Sequence, residues 1–312
     1  HAGDSMTTAA QNIAIGDDAL GALTTTSGNI AIGYQVLDAG VDGVQNCIGI
    51  GTSALGALTA SGSGTTPNIA IGINAGAGMT TGTSNIAIGG WCMDAVVTGN
   101  SNVAIGHNAM TTLTSGASNT TIGSSSGAAL TSGHNNVYVG VNAGATATTA
   151  GYNICIGDGA GNGGTTTGDY NIVMGNNGAG ALTSGNNNVI IGQSAGDAIA
   201  DGTYNMCIGS DAGDAITSGN YNVCLGPNAG GTGTTMGYCI FIGNGAGNGG
   251  TTTGTHNIVM GHAAGDAITS GANNIIIGQS AGTTLTTGAT NVAIGAEALY
   301  YQTTASNNTA VG

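Results

Sequence analysis

Lysine and arginine are absent from these 312 residues, which carry 13 aspartates and a single glutamate, Glu297, for a formal net charge of −14. A surface that binds nucleic acid neutralises phosphates with cations, so a nucleic-acid partner is excluded. Attraction to an anionic membrane surface is disfavoured for the same reason. Only histidine and the chain's amino terminus remain to pair with a carboxylate, so packing and backbone hydrogen bonds must carry the stability. Trypsin finds no site, which suits a protease-exposed surface, though drift within a simple repeat gives the same composition. Aromatic residues are scarce, with one Trp, one Phe and nine Tyr. No apolar run reaches the 18 residues of a membrane-spanning helix, so membrane insertion is not expected. The chain opens on His1 without a signal-peptide pattern and closes on a repeat glycine, so both ends are expected to reflect processing or trimming.

What is present is a repeat. Asn12-Ile13-Ala14-Ile15-Gly16 returns, with variations, eighteen times, and its closing glycine marks the series from Gly16 and Gly33 through to Gly295 and Gly312. Successive marker glycines are 17 residues apart thirteen times, 18 three times and 21 once. A short fixed period held along a chain is the mark of a solenoid. With hydrophobic content at 40% and Ile and Val at fixed phases, disorder is excluded, and 62 glycines without a three-residue period exclude collagen. The alternating, β-branched opening of each unit predicts a strand, and the glycine closing it predicts a sharp turn. A second segment such as Ala181-Leu182-Thr183-Ser184 predicts a second strand. The expectation is an all-β, parallel β-solenoid of about 18 coils, forming one domain over residues 1–312. At about 4.8 Å per coil the stack would reach roughly 85 Å. The longer coil at 52–72 should bulge as a loop around Ser61-Gly62-Ser63-Gly64.

Columns of the repeat predict the faces. Four before the marker stands Asn in sixteen coils: Asn12, Asn29, Asn68, Asn85, Asn102, Asn119, Asn136, Asn153, Asn171, Asn188, Asn205, Asn222, Asn257, Asn274, Asn291 and Asn308. Cys47 and Cys239 take the other two places. Stacked amides bond to one another along the axis, so this is expected to be a structural Asn ladder. The residues one and three before the marker are Ile, Val, Leu, Met or Thr, and are expected inside. The residue between them then points outward. That column is apolar too: Ala14, Ala31, Gly49, Ala70, Ala87, Ala104, Thr121, Tyr138, Cys155, Val173, Ile190, Cys207, Cys224, Phe241, Val259, Ile276, Ala293 and Ala310. An apolar stripe this long predicts contact with neighbouring chains, so it is the expected oligomer interface.

The unit Asn-Ile-Ala-Ile-Gly-x-x-Ala, followed by Thr-Ser-Gly, resembles the head repeats of trimeric autotransporter adhesins and the repetitive shafts of phage tail fibres. The stretch from Ala298-Leu299-Tyr300-Tyr301 to Asn307-Asn308-Thr309-Ala310-Val311-Gly312 is especially similar to the latter. The resemblance spans all eighteen repeats. It implies a left-handed β-roll, three chains about one axis, and display outside the cell or on a virion surface. Two departures qualify it. The autotransporter repeat is shorter than 17 residues, and neither its membrane anchor nor the self-cleaving chaperone of some fibres is present in these residues.

Candidate chemistry is sparse. The six cysteines form no C-x-x-C pair, which argues against zinc. Cys207 and Cys224 share a column in successive coils, so a disulfide and a pair of buried thiols are both open. Histidines 1, 107, 134, 256 and 262 build no metal motif. The acidic residues Asp17, Asp18, Asp158, Asp197, Asp211, Asp214 and Asp266 flank turns without the dense calcium-roll pattern. Asp158 to Gly164 is the stretch nearest to that pattern, and the expectation is no cofactor, with calcium only as a remote case at such turns. Gly159 to Gly164 lacks the lysine and helix of a phosphate loop. Asn119-Thr120-Thr121 and Asn307-Asn308-Thr309 fit a glycosylation acceptor, but Asn119 sits in the ladder. Tyr170, Tyr204 and Tyr221 each precede a ladder Asn, forming a row suited to a host-surface glycan or to the rim of an interchain contact.

The expected function is therefore structural and non-enzymatic: a homo-oligomeric shaft segment of a tail fibre or surface adhesin that holds a receptor-binding tip away from its base. An extracellular filament assembled end to end is the near alternative. Thr24-Thr25-Thr26, Thr165-Thr166-Thr167 and Thr251-Thr252-Thr253 keep ice binding as an alternative of another class. A polysaccharide lyase or depolymerase would need acids grouped with Arg or Lys.

Overall fold

A computed structural model describes residues 1–39, 43–59 and 67–312. The chain forms two compact units, His1–Tyr152 and Asn153–Gly312, where the repeat alone had suggested one domain. The first unit carries eight strands, β1 (Ile13–Ile15) to β8 (Val137–Val139). The second carries ten, β9 (Ile154–Ile156) to β18 (Thr309–Val311). Each strand is three residues long and pairs in parallel with the next one in its unit. Ile13 stands opposite Ile30 in the first unit, and Ile172 opposite Val189 in the second. Each unit is thus a parallel β-solenoid with one strand per coil, and no helix occurs among the described residues. The inserted residues 61–66 of the longer coil lie outside the described residues.

The expected second strand does not form as a regular strand. Residues such as Ala181–Ser184 make turns, although Thr183 N–H still donates to the Ala200 carbonyl of the next coil at 2.9 Å. The physical reason is the density of left-handed backbone after each marker. Asn177 and Ala179, for instance, have φ of 52° and 53° and cannot lie in an extended ladder.

The marker glycine is required twice over. Its φ lies between 120° and 142° in every coil, a region that L side chains do not enter. It also lets successive coils approach: a Cβ on Gly72 would stand 2.6 Å from the carbonyl oxygen of Gly89.

The interior is the reverse of the expected one. The middle strand residue points into its own coil, and the residues flanking it point out. The column from Ala31 to Ala293 is buried, with Ala14 and Ala310 half-buried, whereas Ile15 is 56% exposed and Ile294 39%. The column named as the oligomer interface, from Ala14 through Tyr138, Cys155, Ile190 and Phe241 to Ala310, is therefore core, which a neighbouring chain cannot reach. Its partner within each coil is the residue four after the marker. A Cβ on Gly144 would come within 2.8 Å of the Tyr138 ring, and one on Gly161 within 2.7 Å of Cys155 Sγ.

The two columns compensate in volume. Leu20, Leu37, Leu55, Met93 and Met110 share coils with Ala14, Ala31, Gly49, Ala87 and Ala104. Gly144, Gly161, Gly196 and Gly247 share coils with Tyr138, Cys155, Ile190 and Phe241. Where both are small, at Ala70 and Gly76, Met79 fills the space, its Cε 3.4 Å from the position of a Cβ on Gly76. The bulk of Val173 to Ile276 thus reflects filling of a narrow core, close-packed like any protein interior.

Candidate functional site

Three columns stand out: the Asn column, the outward strand face, and a row of aromatic side chains at one corner of the coil.

The asparagines of this column from Asn29 to Asn291 are buried and hydrogen-bonded, and Asn12 and Asn308 at the two ends are half-buried. Asn188 shows the pattern. Its Nδ2 donates to Asn171 Oδ1 at 3.0 Å and to the Gly202 carbonyl at 2.9 Å. Its Oδ1 accepts from the backbone N–H of Asn205 at 2.9 Å and from Asn205 Nδ2 at 3.2 Å. All four capacities of the amide are used, which is what makes a buried amide tolerable. Asn102, Asn119, Asn205, Asn274 and Asn291 repeat the contact to the preceding Asn. The Cys exceptions continue the column through weaker partners. Cys239 N–H donates to Asn222 Oδ1 at 3.1 Å, and its Sγ accepts from Asn257 N–H at 3.5 Å and donates to the Gly254 carbonyl at 3.4 Å. The ladder binds coil to coil and offers nothing to solvent.

The outward face is aliphatic. At one and three residues before each marker the chain presents Ile, Val, Leu or Met, except for Thr120 and Thr309. No charged residue occupies either column. Most of these side chains are half-buried by their stacked neighbours, and Ile71, Ile122, Met174, Met206 and Ile275 are exposed. Taking roughly 40 Å² of apolar surface left per residue, the two columns of the ten-coil unit present on the order of 800 Å². That is about the share one partner contributes to a standard protein interface.

The aromatic row lies five residues before the marker. Tyr204, Tyr221, Tyr238 and His256 stack in succession, with ring centroids 4.9, 4.9 and 5.1 Å apart and interplanar angles of 3°, 12° and 7°. All four have left-handed backbone, with φ from 57° to 60°. Asn, Ser or Gln usually takes this corner elsewhere, as at Asn187 and Asn273. An L residue there costs about 1 kcal/mol or more, and stacking returns about the same per pair. Sequence places Tyr204 and Tyr221 in the row by the ladder Asn that follows each; Tyr238, which precedes Cys239, and His256, which is not a Tyr, join it through their fixed phase five before the marker.

Other candidate groups stay apart. The six cysteines are buried, with no disulfide among the described residues. Burial pushes the thiols of Cys92 and Cys155 up to about 12. Contact with Cys207, then burial, raises Cys224 well above the ordinary thiol value. Among the described residues no three His, Cys, Asp or Glu side chains are grouped to hold a metal ion. The ion pairs among the described residues are those of the His1 ammonium, 3.0 Å from Asp17 and 3.2 Å from Asp18. No helix among the described residues is long and apolar enough to cross a membrane. Comparison with models of known protein families and with curated proteins returned no match.

Proposed function

We propose that this protein is a structural segment of a fibre, whose copies pack side by side through the outward aliphatic face. The observation that carries the reading is that face: two uncharged apolar columns repeated on every strand, each member exposed or half-exposed. The natural occupant is a second copy of the same chain. It brings the same rise of about 4.8 Å per coil, so its Ile and Val side chains interleave in register over many coils. It also meets no charge there, although the molecule as a whole repels its copies with a net charge of −14.

Three chains about one axis, coils wound left-handed and display outside a cell or on a virion follow the repeats that the sequence resembles, and belong to the same proposal. The role is mechanical, a spacer that holds a receptor- or glycan-binding tip away from its base. The ice-binding alternative draws on fewer hydroxyls than its Thr segments suggest: Thr26, Thr166 and Thr252 are buried, and Thr166 and Thr252 donate to the Leu182 and Ile268 carbonyls of the next coil, both at 3.0 Å.

Light scattering at several concentrations tests the reading. A fixed mass of three times 29.5 kDa is expected. The triple variant Ile191→Thr, Ile208→Thr, Ile242→Thr should fall to a monomer, since Thr already occupies the face at Thr120 and Thr309 without breaking the strand. A monomeric parent chain would overturn the proposal. Mass that climbs with concentration would replace the closed trimer by an open filament.

A further inference from the structure

The aromatic row has no structural necessity. Asn187 and Asn273 make the same corner with φ of 59°, and Asn is better suited to left-handed backbone than Tyr. Four successive coils nonetheless carry Tyr, Tyr, Tyr and His, with Tyr204, Tyr221 and Tyr238 each about half exposed. Stacking offsets the backbone cost without adding to it, and a departure from local preference that brings no net gain in folding is what a built site looks like.

The stack itself limits what that can be. Rings parallel to within 12° and about 5 Å apart cover one another's faces, so a sugar finds no open ring face within the row. What remains accessible is the line of ring edges and phenol hydroxyls. Two residues further along each coil stand Met206, Val223, Ile240 and Ile258, pointing outward, and the residues between are buried: Asn205, Asn222, Cys239 and Asn257. Aromatic edges on one side, aliphatic side chains on the other and a buried floor define a straight groove. Four coils give it a length of roughly 15 Å.

We propose that this groove binds elongated, flat, conjugated cations, lying along the coil axis. The ligand's π face meets the ring edges in the edge-to-face arrangement that aromatic pairs favour. Its other side rests against the aliphatic column. The charge of −14, with no lysine or arginine to oppose it, selects a cation over an anion of the same shape. The groove's aliphatic wall belongs to the face proposed above for packing between copies, so the ligand and a neighbouring chain compete for it.

Thioflavin T, a flat conjugated cation, is the probe, titrated into the full chain by fluorescence. A saturable rise is expected. The variant Tyr204→Asn, Tyr221→Asn, Tyr238→Asn should bind at least tenfold more weakly, and circular dichroism should show the strands retained. Should that variant fail to fold, Tyr221→Asn alone interrupts the stack at its middle and should still weaken binding severalfold. Val96→Thr, exposed in the other unit and outside both outward columns, should bind as the parent does. Parent-like binding by the folded Tyr variants would overturn the proposal, as would a loss in Val96→Thr equal to theirs. Equal binding of an anionic conjugated dye would overturn the selection for cations.

Discussion

An amide buried in a ladder is worth what its neighbours lose when it goes. Asn188→Ala strands the Gly202 carbonyl and the Asn205 N–H, both without water, and leaves Asn171 Oδ1 and Asn205 Nδ2 each one partner short. Each buried orphan costs about 1–3 kcal/mol, so the substitution should destabilise the second unit by about 3–5 kcal/mol. Asn308→Ala should cost much less, about 1 kcal/mol, because Asn308 is only half-buried and one of its amide bonds is the local one to Ser306. Asn188→Cys should fall between the two Asn188 extremes, since Cys239 shows that sulfur can accept from the next coil and donate to its carbonyl. Denaturant midpoints with unchanged slope provide the check. Equal losses at Asn188 and Asn308 would show that the ladder adds nothing beyond local turn bonding.

At the scale of the coil, the core is a two-position lock between the middle of the strand and the residue four after the marker. Phe241→Ala should cost about 3–5 kcal/mol by leaving a cavity opposite Gly247. Gly247→Leu alone should be destabilising by overpacking, since its side chain would begin inside the Phe241 ring. The two together recreate the pairing of Ala31 with Leu37, whose φ of 52° is close to the 66° of Gly247. The double variant should therefore recover most of the stability that either single change removes. A thermal double-mutant cycle measures this, and additive losses would refute the lock.

This pairing also explains what was legible in advance and what was not. Period, strand position, marker glycine and Asn column could be read because each answers a demand that recurs identically in every coil: a φ no other residue accepts, or an amide with four bonds to make. Which side of a three-residue strand faces inward could not be read from hydropathy, since Ile on both flanks and Ala or Cys between are all apolar. Placing the larger Ile residues inside assumed a wide core. The coil is narrow and admits one inward residue per strand, opposite the residue four after the marker and beside the buried one seven after it, such as Leu113 or Ile199. The reciprocal sizes of Ala104 with Met110 and of Tyr138 with Gly144 were in the sequence, but they become meaningful only once two positions six residues apart, on either side of the marker, are compared as a pair and not as separate columns. The aromatic row was missed in part for a similar reason, because it was tied to the identity of the next residue and not to its phase.

At the scale of the whole chain, charge of one sign governs the response to pH. Burial raises the carboxyls of Asp38, Asp94, Asp214 and Asp266 above the ordinary value of 3.8, and for Asp214 the neighbouring Asp211 and Asp197 add to it. A carboxyl whose pKa is raised by folding holds its proton more tightly in the folded chain than in the unfolded one. Stability then falls as pH rises from about 3.8 through the raised values, and the penalty is complete above them. No buried ion pair among the described residues works in the opposite direction. The ammonium of His1, raised first by its hydrogen bond to Asp17 and then by that to Asp18, favours the folded chain at lower pH as well. Self-repulsion of 14 acidic groups also relaxes as they take up protons. Thermal melting at constant ionic strength should therefore give a Tm that climbs as pH is lowered from neutrality towards about 4, contrary to the acid-labile behaviour of proteins held by ionised carboxylates. Added salt should raise Tm at neutral pH by screening the repulsion, and raise it less at about pH 4. A Tm that drops steadily over this range would mean that ionised carboxylates contribute net stability, and would overturn the view of a fold held by its backbone, its amide ladder and its narrow apolar core.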